Sequence, residues 1–294
     1  MSCTLCPRNC QIDRTAANGF CGCSSVPKIA RAALHFDEEP CISGTRGSGT
    51  IFFSGCNLKC VFCQNMAIQD GTLGEPVSVD KLSATMLRLQ AMGAHNINLV
   101  TPTPHRDAIR SALLSAKKNG LTIPVLYNTG SYESVDTIRS FESLIDLYLP
   151  DLKYRDDRLA RRFSRAEGYF PVAMDAIAEM IRQVGFMRLD ENGIAVRGVR
   201  IRHLVLPGCV FDTRAVLDAV AERFGTDCPL SLMSQYTPNP ACKEPALSRR
   251  LTQREYDSAV EYCLSLGFSD VLTQGLDSVG SSFTPPFYDR IDLS

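Results

Sequence analysis

Residues 49–65 read Gly49-Thr50-Ile51-Phe52-Phe53-Ser54-Gly55-Cys56-Asn57-Leu58-Lys59-Cys60-Val61-Phe62-Cys63-Gln64-Asn65. The run Gly49 to Phe53 is short, apolar and built of β-formers, and Ser54-Gly55 breaks it. Residues 56–65 therefore form a loop leaving the C-terminal end of a strand, where α/β barrels place their sites. The loop carries Cys56, Cys60 and Cys63 at C-x3-C-x2-C spacing. Three thiolates can hold three irons of a [4Fe-4S] cluster and leave the fourth iron without a protein ligand. A cluster that only passes electrons normally takes four cysteines, so an open iron implies chemistry on a bound molecule. The plainer alternative is a zinc knuckle, or two buried cysteines with a chance neighbour.

Outward from this loop, short apolar runs alternate with helical stripes. Strands are expected at 50–54, 96–100, 122–127, 144–149, 199–206 and 229–233, with a weaker one at 270–273. The helix over 80–92 aligns Leu82, Met86 and Leu89, and that over 106–119 aligns Ile109, Leu113 and Ala116 before Gly120. Residues 172–184 carry Ile177, Met180, Ile181 and Val184 and stop at Gly185. Asp212 is expected to cap a helix ending at Gly225. Thr252 and Glu255 form a T-x-x-E capping box for another. Such apolar stripes are core faces and carry no functional message. The alternation predicts right-handed βαβ units and a parallel sheet. There is no glycine-rich dinucleotide fingerprint. About six units point to an α/β fold, a partial (β/α)6 TIM-type barrel over residues 49–294, preceded by a Cys-rich, loop-rich N-terminal extension over residues 1–48.

The 294 residues carry a net charge of −1 and are 45% hydrophobic, an ordinary globular balance with no electrostatic case for nucleic acid or an anionic membrane. No apolar run approaches the roughly 18–20 residues needed to span a bilayer. The N-terminus lacks the charged-then-apolar layout of a signal peptide, so a cytoplasmic location is expected. There, thirteen cysteines favour metal ligation over disulfides.

Polar residues recur at the strand ends: Thr101 and Thr103 after the second strand, Asn128 and Thr129 after the third, Asp151 and Lys153 after the fourth, and Arg202 on the fifth. Each cluster alone could be ordinary turn chemistry. Repeated at one end of a barrel, they form a ligand-binding rim. Asp151 and Lys153, two apart in an extended segment, point to the same side and could meet the amino-acid and ribose groups of one ligand. The alternative is a surface ion pair of little worth.

Six cysteines fall within residues 1–48. Cys3, Cys6, Cys10, Cys21 and Cys23 are compatible with a structural zinc site, with an auxiliary Fe-S cluster, or with unligated thiols. Spacing does not select which four would bind. Cys209, Cys228, Cys242 and Cys263 are dispersed and read as ordinary thiols.

The cysteine loop, with Phe62 before its last cysteine, resembles the signature of the radical S-adenosylmethionine (SAM) superfamily. The N-terminal C-x-x-C-P-R-x-C run, the stretch Glu38-Glu39-Pro40-Cys41-Ile42-Ser43-Gly44, the motif Tyr148-Leu149-Pro150-Asp151-Leu152-Lys153-Tyr154 and the run Arg202-His203-Leu204-Val205-Leu206-Pro207-Gly208 resemble its pyruvate formate-lyase-activase-like, or glycyl-radical activase-like, group. The resemblance implies a partial barrel and an enzyme using a [4Fe-4S] cluster on Cys56, Cys60 and Cys63 to cleave SAM. The product would be a 5′-deoxyadenosyl radical that abstracts hydrogen. It implies that Asp151 and Lys153 match the activase D-x-K motif contacting SAM, and that Asn128 and Thr129 sit where activases carry Asp-Thr near the SAM carboxylate and a monovalent cation. Arg202 matches an arginine before the Val-Pro-Gly-type turn. Thr101 to Thr103 stand where many relatives have Gly-Gly-Glu, and Tyr236-Thr237 replaces a Tyr-His pair. The implied partners are an electron donor such as flavodoxin or ferredoxin and a glycyl radical enzyme. The departures leave a small molecule or another peptide open as the target. The rival from another class is a non-enzymatic, zinc-binding, Cys-rich interaction protein.

Overall fold

Strands buried on both faces read as unbroken apolar runs, and all six residues of the strand before the cysteine loop are buried. The computed structural model describes residues 2–239, 242–276 and 287. In chain order its elements are β1 (Lys28–His35), α1 (Pro40–Ser43), β2 (Ser48–Phe53), β3 (Glu75–Pro76), α2 (Val79–Ala91), β4 (Ile97–Val100) and α3 (Arg106–Lys118). Next are β5 (Val125–Thr129), α4 (Val135–Arg139), β6 (Leu147–Pro150), α5 (Asp157–Ser164), α6 (Tyr169–Val184), β7 (Arg188–Leu189), β8 (Ala195–Val199) and β9 (Ile201–Leu204). Last come α7 (Val210–Phe224), β10 (Leu230–Met233), α8 (Gln253–Ser265) and β11 (Val271–Thr273).

β2, β4, β5, β6 and β8 are successive parallel neighbours, and β9, β10 and β11 form a second parallel sheet. The two join where the chain bends at Arg200. Its amide still reaches Tyr148 O at 3.2 Å, and a parallel bridge pairs Asp151 with Arg202. Among the described residues β2 and β11 do not pair, so the array stays open, as a partial barrel.

Alternate strand residues serve two cores, as the period of two requires. Tyr127 and Tyr148 pack with the helical layer that includes Ile109, Leu113, Ile177 and Met180. Leu126, Leu147 and Leu149 face the other way, against Cys41 and Ile42 of α1. The short helix α1 thus plugs the inner face of the sheet and carries the residues just before it into the interior.

The strand-helix alternation emerges as expected, with four differences in detail. The strand expected at 199–206 is divided at Arg200: Val199 ends β8 in the first sheet, and β9 of the second sheet runs only over Ile201–Leu204. The strand expected at 122–127 runs Val125–Thr129, because Pro124 has no amide to donate and the Thr122 and Ile123 amides are taken by Gln90 Oε1 at 2.8 and 3.2 Å. Residues 144 and 145 close a turn on Phe141 O, so the next strand begins only at Leu147. Asp212 is not a helix cap. Cys209 holds that position, and Asp212 sits in the first turn of α7, accepting from the amides of Arg155 and Asp156. The Thr252–Glu255 capping box forms with both of its reciprocal bonds. Two features of residues 28–48 carried no clear sequence signal: β1, which runs antiparallel along the whole of β2, and α1.

Candidate active site

The C-terminal ends of the parallel strands open into a cleft of about 200 Å³, somewhat below the ~300–1000 Å³ typical of small-molecule pockets. Cys56, Cys60 and Cys63 line one wall, and Thr101, Asn128, Thr129, Asp151, Lys153 and Arg202 also line the cleft. Nine of the ten residues expected at the first metal and cofactor site are therefore brought together. The tenth, Thr103, is not on the cleft wall. It is buried, and its hydroxyl donates to Glu133 Oε1 at 2.5 Å.

The loop conformation rests on Gly55, which has φ +85°. A Cβ there would lie 2.1 Å from Cys23 Sγ and 2.7 Å from Cys21 O. The Gly55 amide donates to Ile68 O at 2.7 Å and the Cys56 amide to Cys21 O at 3.2 Å, so the N-terminal segment is part of the loop's support. Farther on, the Leu58 amide lies 3.4 Å from Cys56 Sγ. Cys60 Sγ is 2.9 Å from Ser164 Oγ, which is 2.7 Å from the Tyr154 hydroxyl.

The three thiols sense one another. Burial first, then Cys60 and Cys63, pushes the Cys56 thiol up to about 12. Burial and Cys60 push Cys63 up to about 11. Lys153 acts in the opposite direction on Cys60 and Cys63. Thiols whose surroundings oppose ionisation suit a polyvalent cationic centre, which would bind them as thiolates. No three His, Cys, Asp or Glu side chains among the described residues converge on a single ion. A cuboidal cluster has no need of such convergence, because each thiolate goes to its own iron. Three thiols on one loop, each free to take its own iron, fit a [4Fe-4S] cluster.

The same cleft holds a charged network centred on Arg202, only 11% exposed. Its guanidinium donates to Asp151 Oδ1 at 2.7 Å, Glu38 Oε2 at 3.0 Å and Asn128 Oδ1 at 2.6 Å. Glu38 Oε1 in turn accepts from Asn98 at 3.0 Å and Asn128 at 3.1 Å. Lys153 Nζ donates to Asp151 Oδ2 at 2.7 Å. Burial alone would raise the Asp151 carboxyl, but Arg202 and Lys153 outweigh it and hold the group below its ordinary value. Asp151 and Lys153 thus form a largely buried pair, not the surface ion pair of the plainer alternative. Beside them Thr101, a β-branched residue, is held at φ +58°, a conformation such residues rarely adopt.

Sequence reasoning missed Glu38, Glu133 and Ser164 as parts of this region. Glu38 precedes α1 and arrives through the plug. The only signal for it was its place in the Glu-Glu-Pro-Cys stretch. Glu133 lies 1% exposed behind the cleft and accepts from both Thr103 and Thr129 at 2.5 Å. Burial pushes its carboxyl up to about 7 despite those bonds. His203, not expected to be catalytic, is enclosed between Leu152 O at 2.7 Å and Thr213 Oγ1 at 3.0 Å.

Of the five N-terminal cysteines, Cys3, Cys6, Cys10 and Cys21 line a second, smaller pocket, and Cys23 Sγ instead faces Ser54 O at 3.2 Å. No helix among the described residues is long and apolar enough to cross a membrane.

Residues 50–208 match the family model described as the radical SAM superfamily. The chain is 30% identical over 272 residues to the uncharacterized protein MJ0674 of Methanocaldococcus jannaschii, covering 88% of this chain and 73% of that one. Similar solved structures include SuiB of Streptococcus suis bound to S-adenosylmethionine, with TM-score 0.52 and 14% identity over 75% of this chain and 48% of that one. Native anSMEcpe with bound AdoMet has TM-score 0.52 and 11% identity over 75% and 61% of the two chains. The FeFe-hydrogenase maturase HydG of Carboxydothermus hydrogenoformans has TM-score 0.50 and 13% identity over 75% and 51%. The chain spans about half to three-fifths of the length of these structures. At such identities the likeness is one of fold.

Proposed function

The chain belongs to the radical SAM superfamily, and on that premise we propose that it cleaves SAM reductively and abstracts a hydrogen atom from a substrate held over the cleft. The observation that carries this reading is the meeting of Cys56, Cys60 and Cys63 with Asp151, Lys153 and Arg202 around one cleft. When bound, a [4Fe-4S] cluster with an open iron supplies the electron that splits the sulfonium of SAM into methionine and a 5′-deoxyadenosyl radical. Cys56, Cys60 and Cys63 would hold it. Lys153, in the same cleft, offers an ammonium to a carboxylate, and Asp37, Glu38 and Asp151 give the cleft an acidic excess over Lys153 and Arg202. That balance suits a ligand with a sulfonium and an ammonium. The network around Arg202 fixes these side chains before any ligand arrives, which reduces the ordering needed on binding.

The test is anaerobic reconstitution with iron and sulfide, then addition of dithionite and SAM. Release of 5′-deoxyadenosine is expected, and none from the Cys60→Ala protein. A colourless, zinc-replete protein without SAM cleavage would overturn the reading in favour of a zinc-binding interaction module.

For the target we propose a glycine Cα–H of a partner enzyme, by the activase-like motifs, with a one-electron donor of flavodoxin or ferredoxin type. A second reading takes another peptide or a small molecule as target. It is favoured by the threonines at the Gly-Gly-Glu positions and by the fold itself, which SuiB uses with its precursor peptide SuiA. Deuterium tracing separates them: the labelled candidate that transfers deuterium to 5′-deoxyadenosine is the substrate.

A further inference from the structure

We propose that Glu133 is a positioning residue for the rim of the cleft: one of its carboxyl oxygens clamps the two strained turns that follow β4 and β5, and so sets the affinity for SAM without touching it. The inference rests on the reading of the cleft as a SAM site. Glu133 itself is 1% exposed and does not line the cleft.

Thr101 at φ +58° and Ser131 at φ +63° are both left-handed without being glycine. Such residues persist only where their surroundings impose the conformation. Each stands two residues from a threonine whose hydroxyl donates to Glu133 Oε1 at 2.5 Å: Thr103 in the turn after β4, and Thr129 at the end of β5. The second turn is closed by the Glu133 amide, which donates to Ser131 O at 2.9 Å, and by the Ser131 amide, which donates to Thr129 Oγ1 at 3.2 Å. The two turns also meet directly, because the Thr101 amide donates to Asn128 O at 3.0 Å.

Thr101, Asn128, Thr129 and Gly130 all line the cleft, so a shift of either turn is a shift of its wall. There is little slack in it. A Cβ at Gly130 would lie 2.6 Å from Leu58 Cδ1, and Asn57 Nδ2 donates to Tyr132 O at 2.5 Å, which ties the second turn to the cysteine loop.

Stability does not explain the placement. Among the described residues no cation pairs with Glu133, and its Oε2 is buried without a partner. Burying a carboxyl with half of its acceptors unmet is costly. What the group supplies is one oxygen with two lone pairs, set between hydroxyls that reach it from two different strand ends. Local costs of this kind collect where they serve a site.

The experiment uses the full-length, anaerobically reconstituted protein. Equilibrium dialysis with labelled SAM gives Kd, and 5′-deoxyadenosine release gives KM and kcat. Glu133→Ala should raise Kd and KM about tenfold, the worth of two hydrogen bonds, with kcat within about threefold of wild type. Glu133→Gln, whose amide oxygen can accept the same two bonds, should bind SAM within about twofold of wild type. Thr103→Val lies off the cleft wall, yet should weaken SAM binding about threefold to fivefold and add nothing in the Glu133→Ala background. Wild-type affinity in Glu133→Ala, a glutamine variant as weak as the alanine one, or additive effects of Thr103→Val would each overturn the proposal. If the alanine variant does not fold, Thr103→Val alone decides, and wild-type affinity there overturns the clamp. Amide hydrogen exchange at Thr101, Ser131 and Glu133, read without SAM, keeps the two readings apart. A wild type that does not bind SAM overturns the reading of the cleft, and with it the role in affinity. Equal protection of those amides in wild type and Glu133→Ala overturns the clamp itself.

Discussion

Arg202 Nε donates to Asp151 Oδ1 at 2.7 Å, across 51 residues of sequence and across the seam where the two parallel sheets meet. The pair is the centre of the cleft's electrostatics, because the same guanidinium also holds Glu38 and Asn128. Removing one partner from a buried ion pair leaves the others desolvated and unpaired, at about 3–5 kcal/mol. Arg202→Ala is therefore expected to destabilise the fold by roughly that amount. Arg202→Lys should recover only part, since an ammonium cannot span three acceptors in a plane. Urea denaturation measures both. A change below about 0.5 kcal/mol for the alanine variant would contradict the assignment.

Glu133 gives a pH dependence with a definite sign. Its folded value is raised from 4.5 to about 7, so the folded chain binds the proton more tightly than the unfolded one. Its contribution is fully present below the ordinary carboxylate value and is lost as pH rises through about 7. Over that window the loss is on the order of 3 kcal/mol. His105 and His203, both lowered by burial to about 4, act with the opposite slope below their ordinary value of 6.5. The difference between wild type and Glu133→Gln isolates the glutamate: the variant should lose the fall in stability between pH 5 and 7. Parallel stability curves would show that Glu133 is not the group responsible.

Gly55 is expected to tolerate no side chain. Gly55→Ala incurs a left-handed backbone penalty of about 1 kcal/mol and brings a Cβ against Cys23 Sγ. The double variant with Cys23→Ala should recover little, because Cys21 O, 2.7 Å from the same Cβ, is backbone. Thermal melting and iron content after reconstitution check this, and full rescue by Cys23→Ala would place the strain on the sulfur alone.

Ser164 is positioned to tune the thiolate of Cys60, with Sγ to Oγ at 2.9 Å and the Tyr154 hydroxyl behind it at 2.7 Å. Hydrogen bonds to a ligating sulfur withdraw charge from it and favour the reduced cluster. Ser164→Ala should therefore lower the reduction potential of the reconstituted centre while leaving its iron content unchanged. An EPR-monitored redox titration reads the shift. An unchanged potential would mean that the hydroxyl serves only Tyr154.

The strand pattern was legible because burial on both faces of β2, β4, β5 and β6 writes an apolar run directly into the chain. Boundaries slipped where a local hydrogen bond overrode propensity, as at Gln90 with Thr122 and Ile123. The strand-end residues were legible because a barrel repeats its geometry at every unit, so each polar run after an apolar one falls on the same rim. Thr103 broke that rule: the short turn after β4 directs its hydroxyl behind the cleft to Glu133.

By itself the sequence determined the parallel fold, the three-thiol loop and most of the rim, since these depend on periodicity and on spacing within a few residues. Only the tertiary structure decided that Glu38 completes the Arg202 network from 164 residues away, that Cys23 lies off the pocket lined by the other four N-terminal thiols and reaches Ser54 O, and that Glu133 is a buried acid behind the threonines. The physical reason is that each of these depends on what lies opposite a side chain once the sheet has curved. Linear order records which groups a chain carries, whereas burial and partners fix what those groups are able to do.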